Sequence, residues 1–527
     1  MNARDGSFLS RTLRRLLSVR SARGVSLALS FLPLASKPLG YLRTLLTAWA
    51  FGTSPGMDSF HLANSIISLF AGSVGGALQS SVLPEIVRAR HETGDDRSSR
   101  SIVALTTWVV MALTALFCAA VAIAPGVMVR FFASGFDPER VRIGAIMLWW
   151  LAPFAIVTMC KPVADIWALF TERYTLSAIC SLPFNFIAIP SMLLAIPLIG
   201  VYSVAFSMSV SHAILFALFL CAMRGVPTFQ APGRIPAKSI IRIGKNSTCV
   251  AALIAANTVF MVIDRYFASR LPSGSVAAIS YGGVLIGIIS ALSESPMTFL
   301  LKKLSGAAAE NRGESIRMTE STLAIVLAYF MPVSLFASAA ARPIVSLLYG
   351  WGNFGVSSVD MTATAISAYC YGIMFSVATT VLYRYAQAAQ KLAPIVAFSG
   401  LTIAANAILD WFMVQRWGIW GLALATSITQ IIGFVLYYSA VIGRGLPAFL
   451  IRSRFFLQLA VTTAYAAVSF WSGVFGTAVH AVSALVIAVL YIFTAERLNL
   501  MPCVPEHWRP MKLASFILGS ARSYFSA

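Results

Sequence analysis

The chain has 527 residues, 58% hydrophobic and only 11% charged, with 39 Lys and Arg against 19 Asp and Glu for a formal charge of +20. A soluble globule carries about a quarter charged residues, so this composition excludes one and points to a membrane protein with many spans. The basic excess falls mainly between apolar runs and at the two ends, the pattern of cytoplasmic loops, so nucleic-acid binding is not expected.

The apolar runs are continuous and about twenty residues or longer, not ten-residue alternations, so the spans are helices and not barrel strands. Residues 1–23 hold Arg4, Arg11, Arg14, Arg15, Arg20 and Arg23 against Asp5. The apolar run that follows continues through Lys37 and Arg43 as a full span, so this segment reads as a basic cytoplasmic arm and not a cleaved leader. Fourteen spans are predicted, near 25–51, 58–87, 101–133, 143–170, 175–198, 200–223, 246–268, 275–301, 320–348, 358–386, 392–414, 418–442, 455–474 and 477–495.

Loops after spans two, six, eight and twelve are rich in Lys and Arg, which places them and both termini in the cytoplasm. One loop disagrees: the connection after span three should be outside, yet it carries Arg130, Arg140 and Arg142, partly offset by Asp137 and Glu139.

A repeat joins the two halves. The segment around Gly56 faces that around Gly274, and the segment around Gly200 faces that around Gly418, both at an offset of 218 residues (274 less 56, 418 less 200). VRFFASGF near Phe131 likewise answers SLLYGWGNF near Tyr349. Six spans per half, an even number, make this a parallel repeat about an axis along the membrane normal. The expected architecture is an all-α polytopic membrane protein of about 14 transmembrane helices. Its parts are an N-lobe (24–223), a basic linker (224–245), a C-lobe (246–443), two further helices (444–497) and a cytoplasmic tail (498–527). No phosphate-cradling glycine motif occurs, so a built-in ATPase is not expected.

Charged residues inside apolar spans cost several kcal/mol unless paired or facing water, which makes them the functional candidates. Lys37 and Arg43 come first, with Asp58 in the next span. On a regular helix the two cations would stand ~120° apart, but Pro38 and Gly40 between them can bend the span and turn both inward. Two cations on one cavity suit a multiply charged anion such as a diphosphate. The plainer alternative is that both reach an interface, or that one pairs with Asp58.

Lys161 and Asp165 stand at i and i+4, as an ion-coupling site or a structural pair. Glu294 is a lone acid suited to an ion or proton, and Asp410 reads better as a capped acid near a span end. Asp264 and Arg265 are read as structural, Arg384 as snorkelling, and His61 and His212 as packing or hydrogen-bonding residues without metal spacing. The seven scattered cysteines form neither a disulfide frame nor a metal site.

SKPLGYLRTLLTAWAFG, followed by MDSFHLAN and ending VLPEI, resembles the amino-terminal signature of the lipid II flippase (MurJ or MviN-like) family. That family lies within the multidrug/oligosaccharidyl-lipid/polysaccharide exporter superfamily. LYRYAQAAQKLAP resembles a later segment of the same family. The resemblance implies fourteen spans in two lobes and a transporter, not an enzyme. It places the family's cavity cations on Lys37 and Arg43 and its cavity aspartate on Asp58. Departures are specific: Thr44 replaces the acid after the second arginine, Leu69 to Gly72 is neutral where the family has two arginines, and Tyr281-Gly282-Gly283-Val284 lacks the family's Asp-Arg.

The expected function is therefore transport of an undecaprenyl-diphosphate-linked saccharide across the inner membrane by alternating access. The cargo would be lipid II or an exopolysaccharide precursor, and the protein would work beside glycosyltransferases or other cell-wall enzymes. No cofactor is expected beyond a coupling cation such as Na+ or H+. A cation-coupled multidrug antiporter of the same superfamily is the alternative, in which Asp58, Asp165 and Glu294 would bind the cation. A membrane-embedded polysaccharide polymerase or ligase is the third reading, disfavoured by the repeat and by outer loops of no more than roughly fifteen residues.

Overall fold

A backbone in hydrocarbon must satisfy its own N–H and C=O groups, which is why the apolar runs wind into helices. The computed structural model describes residues 38–93, 96–170, 184–222, 233, 235, 237–291, 312–389, 393–443, 450 and 453–498. No strand occurs among them. Seven helices among the described residues are long and apolar enough to cross a membrane, accompanied by four shorter apolar helices of 10–17 residues. The chain is thus a multi-pass membrane protein. Lys37, Glu294 and the arm 1–23 lie outside the described residues.

Two compact units divide the chain, Met1–Ser273 and Gly274–Ala527. In the first, the described part of α1 covers 38–51 and the chain turns at Gly52, whose φ of 53° suits a residue without a Cβ. Next comes α2 (Pro55–Ile67), which runs through a single π-helical turn, Ser68–Gly72, into α3 (Ser73–Thr93). After these come α4 (Asp96–Ile123), α5 (Pro125–Phe132), α6 (Pro138–Phe170), α7 (Phe184–Ile199), α8 (Tyr202–Ala222) and α9 (Ala237–Ala268).

Helix α6 is the hub of this unit and packs on α2, α3, α4, α5 and α8. Its Met147, Leu148, Leu151 and Ala155 are fully buried, a stripe at helical spacing. Lipid is as apolar as leucine, so close fit rather than exclusion from water holds such helices together, and small residues mark the closest approaches. Gly75 of α3 is one: a Cβ there would lie 2.7 Å from Cγ of Pro162 in α6.

The second unit holds α10 (Ser275–Ala291), α11 (Arg312–Ala339), α12 (Ala341–Tyr349), α13 (Val356–Ala388), α14 (Ala393–Ile442), α15 (Ser453–Trp471) and α16 (Thr477–Arg497). Its hub is α13, packed on α10, α11, α12 and α14. Gly372 of α13 meets Ser427 of α14, where a Cβ would stand 2.8 Å from the serine Cα, and Ser427 Oγ donates to the Ala368 carbonyl at 2.7 Å. Gln458 of α15 fixes that helix to α11 by donating to the Ala328 carbonyl at 2.8 Å.

The internal plans of the units correspond. A long, a short and a long helix follow one another in each: the described parts are 96–123, 125–132 and 138–170 for α4, α5 and α6, and 312–339, 341–349 and 356–388 for α11, α12 and α13. The two hubs begin at Pro138 and Val356, the same 218-residue offset as the sequence repeat. Gly200 and Gly418, paired by that offset, have φ of 54° and 55°. Gly418 breaks α14 into two helical segments. Helix α9 packs against α3 within the first unit, although in the repeat reading its apolar part, 246–268, opens the second lobe.

Candidate substrate site

Arg43 projects from α1 toward α7. The two helices meet where Gly40 faces Asn185, with 3.7 Å between a Cβ at Gly40 and the Asn185 Nδ2, and where Thr47 Oγ1 lies 3.6 Å from Met192 Sδ. Beside the first of those contacts the Arg43 guanidinium sits 4.9 Å over the Phe184 ring, a cation–π arrangement. Its Nη1 is buried and has no hydrogen-bond partner among the described residues.

The Phe184 ring packs against His212 of α8 at 4.3 Å between centroids, and His212 takes Phe154 of α6 on another side at 4.6 Å. The Nδ1 of His212 lies 2.8 Å from the Met208 carbonyl oxygen. A carbonyl can only accept, so Nδ1 carries the proton and Nε2 is the nitrogen left for another partner. Beside this ring a cavity of about 180 Å³ opens, lined by Lys161, Phe184 and His212 and by the apolar Leu215, Phe216 and Phe219.

Lys161 Nζ donates to Asp165 Oδ2 at 2.7 Å, the i, i+4 pair expected from the sequence. Pro162, next in the chain, has no N–H to give the Thr158 carbonyl, and the bare Gly75 comes close to both: its Cβ would stand 3.4 Å from that oxygen. The lysine therefore stands at a proline-interrupted turn that α3 packs against.

Asp58 occupies a separate cluster. Arg43 lies nine residues before Gly52, ~13 Å of helical rise, whereas Asp58 is in the first turn of α2 just past that glycine. It is fully buried, and its Oδ2 lies 3.6 Å from Arg140 Nη1. Arg140 is the third residue of α6, after Asp137 and Pro138, a sequence that starts helices. Asp137 Oδ1 accepts the Arg140 backbone N–H at 2.8 Å, and its Oδ2 accepts Nε at 3.0 Å. The backbone bond from Arg140 leads the interactions that hold the Asp137 carboxyl below the usual carboxylate range. The guanidinium also stacks 4.7 Å from the Phe136 ring centroid.

The positive charge that breaks the loop rule is thus in part a buried structural group. The sequence reading missed Phe184 and gave Arg140 no role. The Asp-Pro-Glu-Arg start of α6 was the available signal for the latter, and for Phe184 there was none.

The remaining candidates fall elsewhere. Asp264 and Arg265 are buried within α9 at 7% exposure each. Asp410 is fully buried inside α14 and accepts an N–H from Asn406 at 2.8 Å, an interior position and not a capped end. Arg384 of α13 donates to Gln387 Oε1 at 3.0 Å. Leu69 to Gly72, neutral where the family has arginines, coincides with the π-helical turn, a local rewinding that recurs at functional sites. Tyr281 is fully buried against Tyr349 and Phe354, at 5.5 Å from each.

Residues 47–493 match the family model described as Lipid II flippase MurJ. The chain belongs to the MurJ family. It is 25% identical over 453 residues to the lipid II flippase MurJ of Burkholderia cenocepacia, covering 82% of this chain and 86% of that one. To a probable lipid II flippase MurJ of Thermotoga maritima it is 25% identical over 420 residues, covering 78% and 83%.

Among solved structures, a lipid II flippase MurJ in an inward closed conformation aligns with TM-score 0.72 at 17% identity, covering 89% of this chain and 99% of that one. An inward-facing multidrug resistance MATE family transporter of the MOP superfamily aligns with TM-score 0.64 at 12% identity, covering 78% and 98%. These two likenesses establish a shared fold. MurJ membership makes the chain a transporter-family protein of the bacterial inner membrane. Of the three positions that the MurJ resemblance assigns to a cavity, Arg43 stands beside one, Asp58 lies in the cluster with Arg140, and Lys37 is outside the described residues.

Proposed function

We propose that the protein is a flippase that carries a polyprenyl-diphosphate-linked saccharide from the cytoplasmic to the outer leaflet of the inner membrane. The observation that carries this reading is the buried Nη1 of Arg43, without a hydrogen-bond partner among the described residues, beside a lysine-lined cavity in a chain of the MurJ family. A cation placed so is suited to a phosphate oxygen, and relatives across most of the chain are named for lipid II. Lipid II is accordingly the first cargo.

A precursor of an exported polysaccharide is the second. It is favoured by the neutral Leu69 to Gly72 and Gly282 to Val284 stretches, which leave fewer cations for the lipid II head.

Fourteen spans in two six-helix lobes, with both termini cytoplasmic, is the architecture that goes with this reading. The common 218-residue offset of the two hubs and the paired glycines support it. Transport proceeds by alternating access, driven by the membrane potential or a coupling cation such as Na+ or H+, with Asp165 and Glu294 as coupling candidates. Glycosyltransferases or cell-wall enzymes would supply and consume the cargo.

The test is a flipping assay with purified protein in vesicles that hold either labelled lipid. Acceleration of at least one is expected, with Arg43→Ala losing more activity than Arg384→Ala. No acceleration of either lipid would remove the flippase reading, and equal losses would remove the site.

A further inference from the structure

The cavity between α6, α7 and α8 has an ionic side and a hydrocarbon side. On the ionic side Lys161 lines the wall, and the Arg43 guanidinium lies 4.9 Å over the ring of Phe184, itself a lining residue that packs on His212. Asp165 engages Lys161 through a single oxygen, and an ammonium has three N–H donors, so two remain for another partner. The Lys161 side chain is 32% exposed and lines the cavity. Leu215, Phe216, Phe219 and Val157 make the rest of the wall and offer no polar group.

The geometry points to a prenyl-phosphate subsite in the first unit, in which Lys161 and Arg43 hold phosphate oxygens, His212 Nε2 faces the same group, and the first isoprene unit lies on Phe216 and Phe219. It rests on the flippase reading and assigns Lys161, Phe184 and His212 to the cargo. A structural ion pair between Lys161 and Asp165 accounts for neither the neighbouring Arg43 donor, unbonded among the described residues, nor an open cavity on the lysine. Inorganic phosphate would leave the aromatic wall uncovered, and a prenyl alcohol would leave two cations without an anion. Only an ester joining the two chemistries uses both sides. The chain thus carries on α6 a cation that its neutral Leu69 to Gly72 and Val284 positions do not supply.

The test uses the full-length protein in detergent, titrated with farnesyl diphosphate, farnesol and inorganic diphosphate by calorimetry. Farnesyl diphosphate is expected to bind about tenfold more tightly than either fragment, because each fragment forfeits one side of the site. Lys161→Gln and Phe184→Leu should each weaken it by about tenfold, and Lys161→Arg should retain most of the affinity. Leu215→Trp, which leaves the Lys161–Asp165 pair in place and fills the cavity, should also block binding while thermal unfolding stays close to that of the parent chain.

Unchanged affinity in Lys161→Gln and Leu215→Trp, or inorganic diphosphate binding as tightly as the ester, overturns the subsite. Vesicle transport separates the two readings. Transport with Lys161-independent binding removes the subsite alone, and Lys161-dependent binding without transport removes the flippase reading alone.

Discussion

The Arg140 guanidinium stands 3.6 Å from the Asp58 carboxylate, with Asp58 fully buried and Arg140 at 7% exposure. The pair joins the first turn of α2 to the first turn of α6, and Ser59 Oγ reinforces the joint by donating to the Arg140 carbonyl at 2.9 Å. Two charges taken from water repay their desolvation only if each keeps its partner. Arg140→Ala should therefore destabilise the protein by about 3 kcal/mol. Pairing it with Asp58→Asn should cost less than the two single changes summed. Thermal unfolding of the four proteins in detergent measures the cycle, and strict additivity would show that the two groups do not interact.

Glu85 of α3 and Arg242 of α9 are joined by a two-pronged contact, 3.1 and 3.2 Å from Nε to the two carboxylate oxygens and 2.5 Å from Nη2 to Oε1. The arginine fork matches the carboxylate, and a lysine would offer one point charge instead. Arg242→Lys should loosen the start of α9 and leave the rest of the first unit intact. Hydrogen exchange across residues 237–245 should quicken, while that of α6 stays as it was.

Gly135 lies against the C-terminal end of α9, donating its N–H to Ser269 Oγ at 3.2 Å. A Cβ there would come 2.6 Å from both Arg270 Cα and the Ser269 carbonyl oxygen, backbone atoms that a rotamer change cannot move. Gly135→Ala should destabilise by about 1–3 kcal/mol, the range for overpacking a tight contact. Gly355→Ala, in open space, serves as the control and should unfold close to the parent temperature.

Asp137 lies outside the apolar spans, with its carboxyl held low by the Arg140 N–H and guanidinium. A depressed carboxylate contributes stability above its unfolded pKa and loses it as pH falls through the folded value, so the loss should run from about pH 4 downward. Asp137→Asn should lower the unfolding temperature slightly at neutral pH, since Asp137 is itself 53% exposed. The two proteins should converge in acid. A gap that widened as pH fell would contradict the assignment.

Much of this molecule is legible along the chain because its signals are local. Run length and charge placement identify the membrane class, and a 218-residue period pairs Gly200 with Gly418, which share a positive φ. The i, i+4 spacing of Lys161 and Asp165 foretells their contact, since a helix puts such residues on one face. Arg140 shows the opposite case. Counted as a loop charge it contradicts the orientation rule, and its partner Asp58 is more than eighty residues away in another helix.

Sequence alone thus determined the class, the helical character, the repeat and the family signature. The tertiary structure decided which charges meet: Arg43 over Phe184, His212 between Phe184 and Phe154, and Asp58 against Arg140. In a soluble protein the apolar stripe of a helix announces its buried face. Here lipid-facing and protein-facing surfaces are both apolar, so the sequence carries no stripe that tells which helix faces meet, and only packing reveals it.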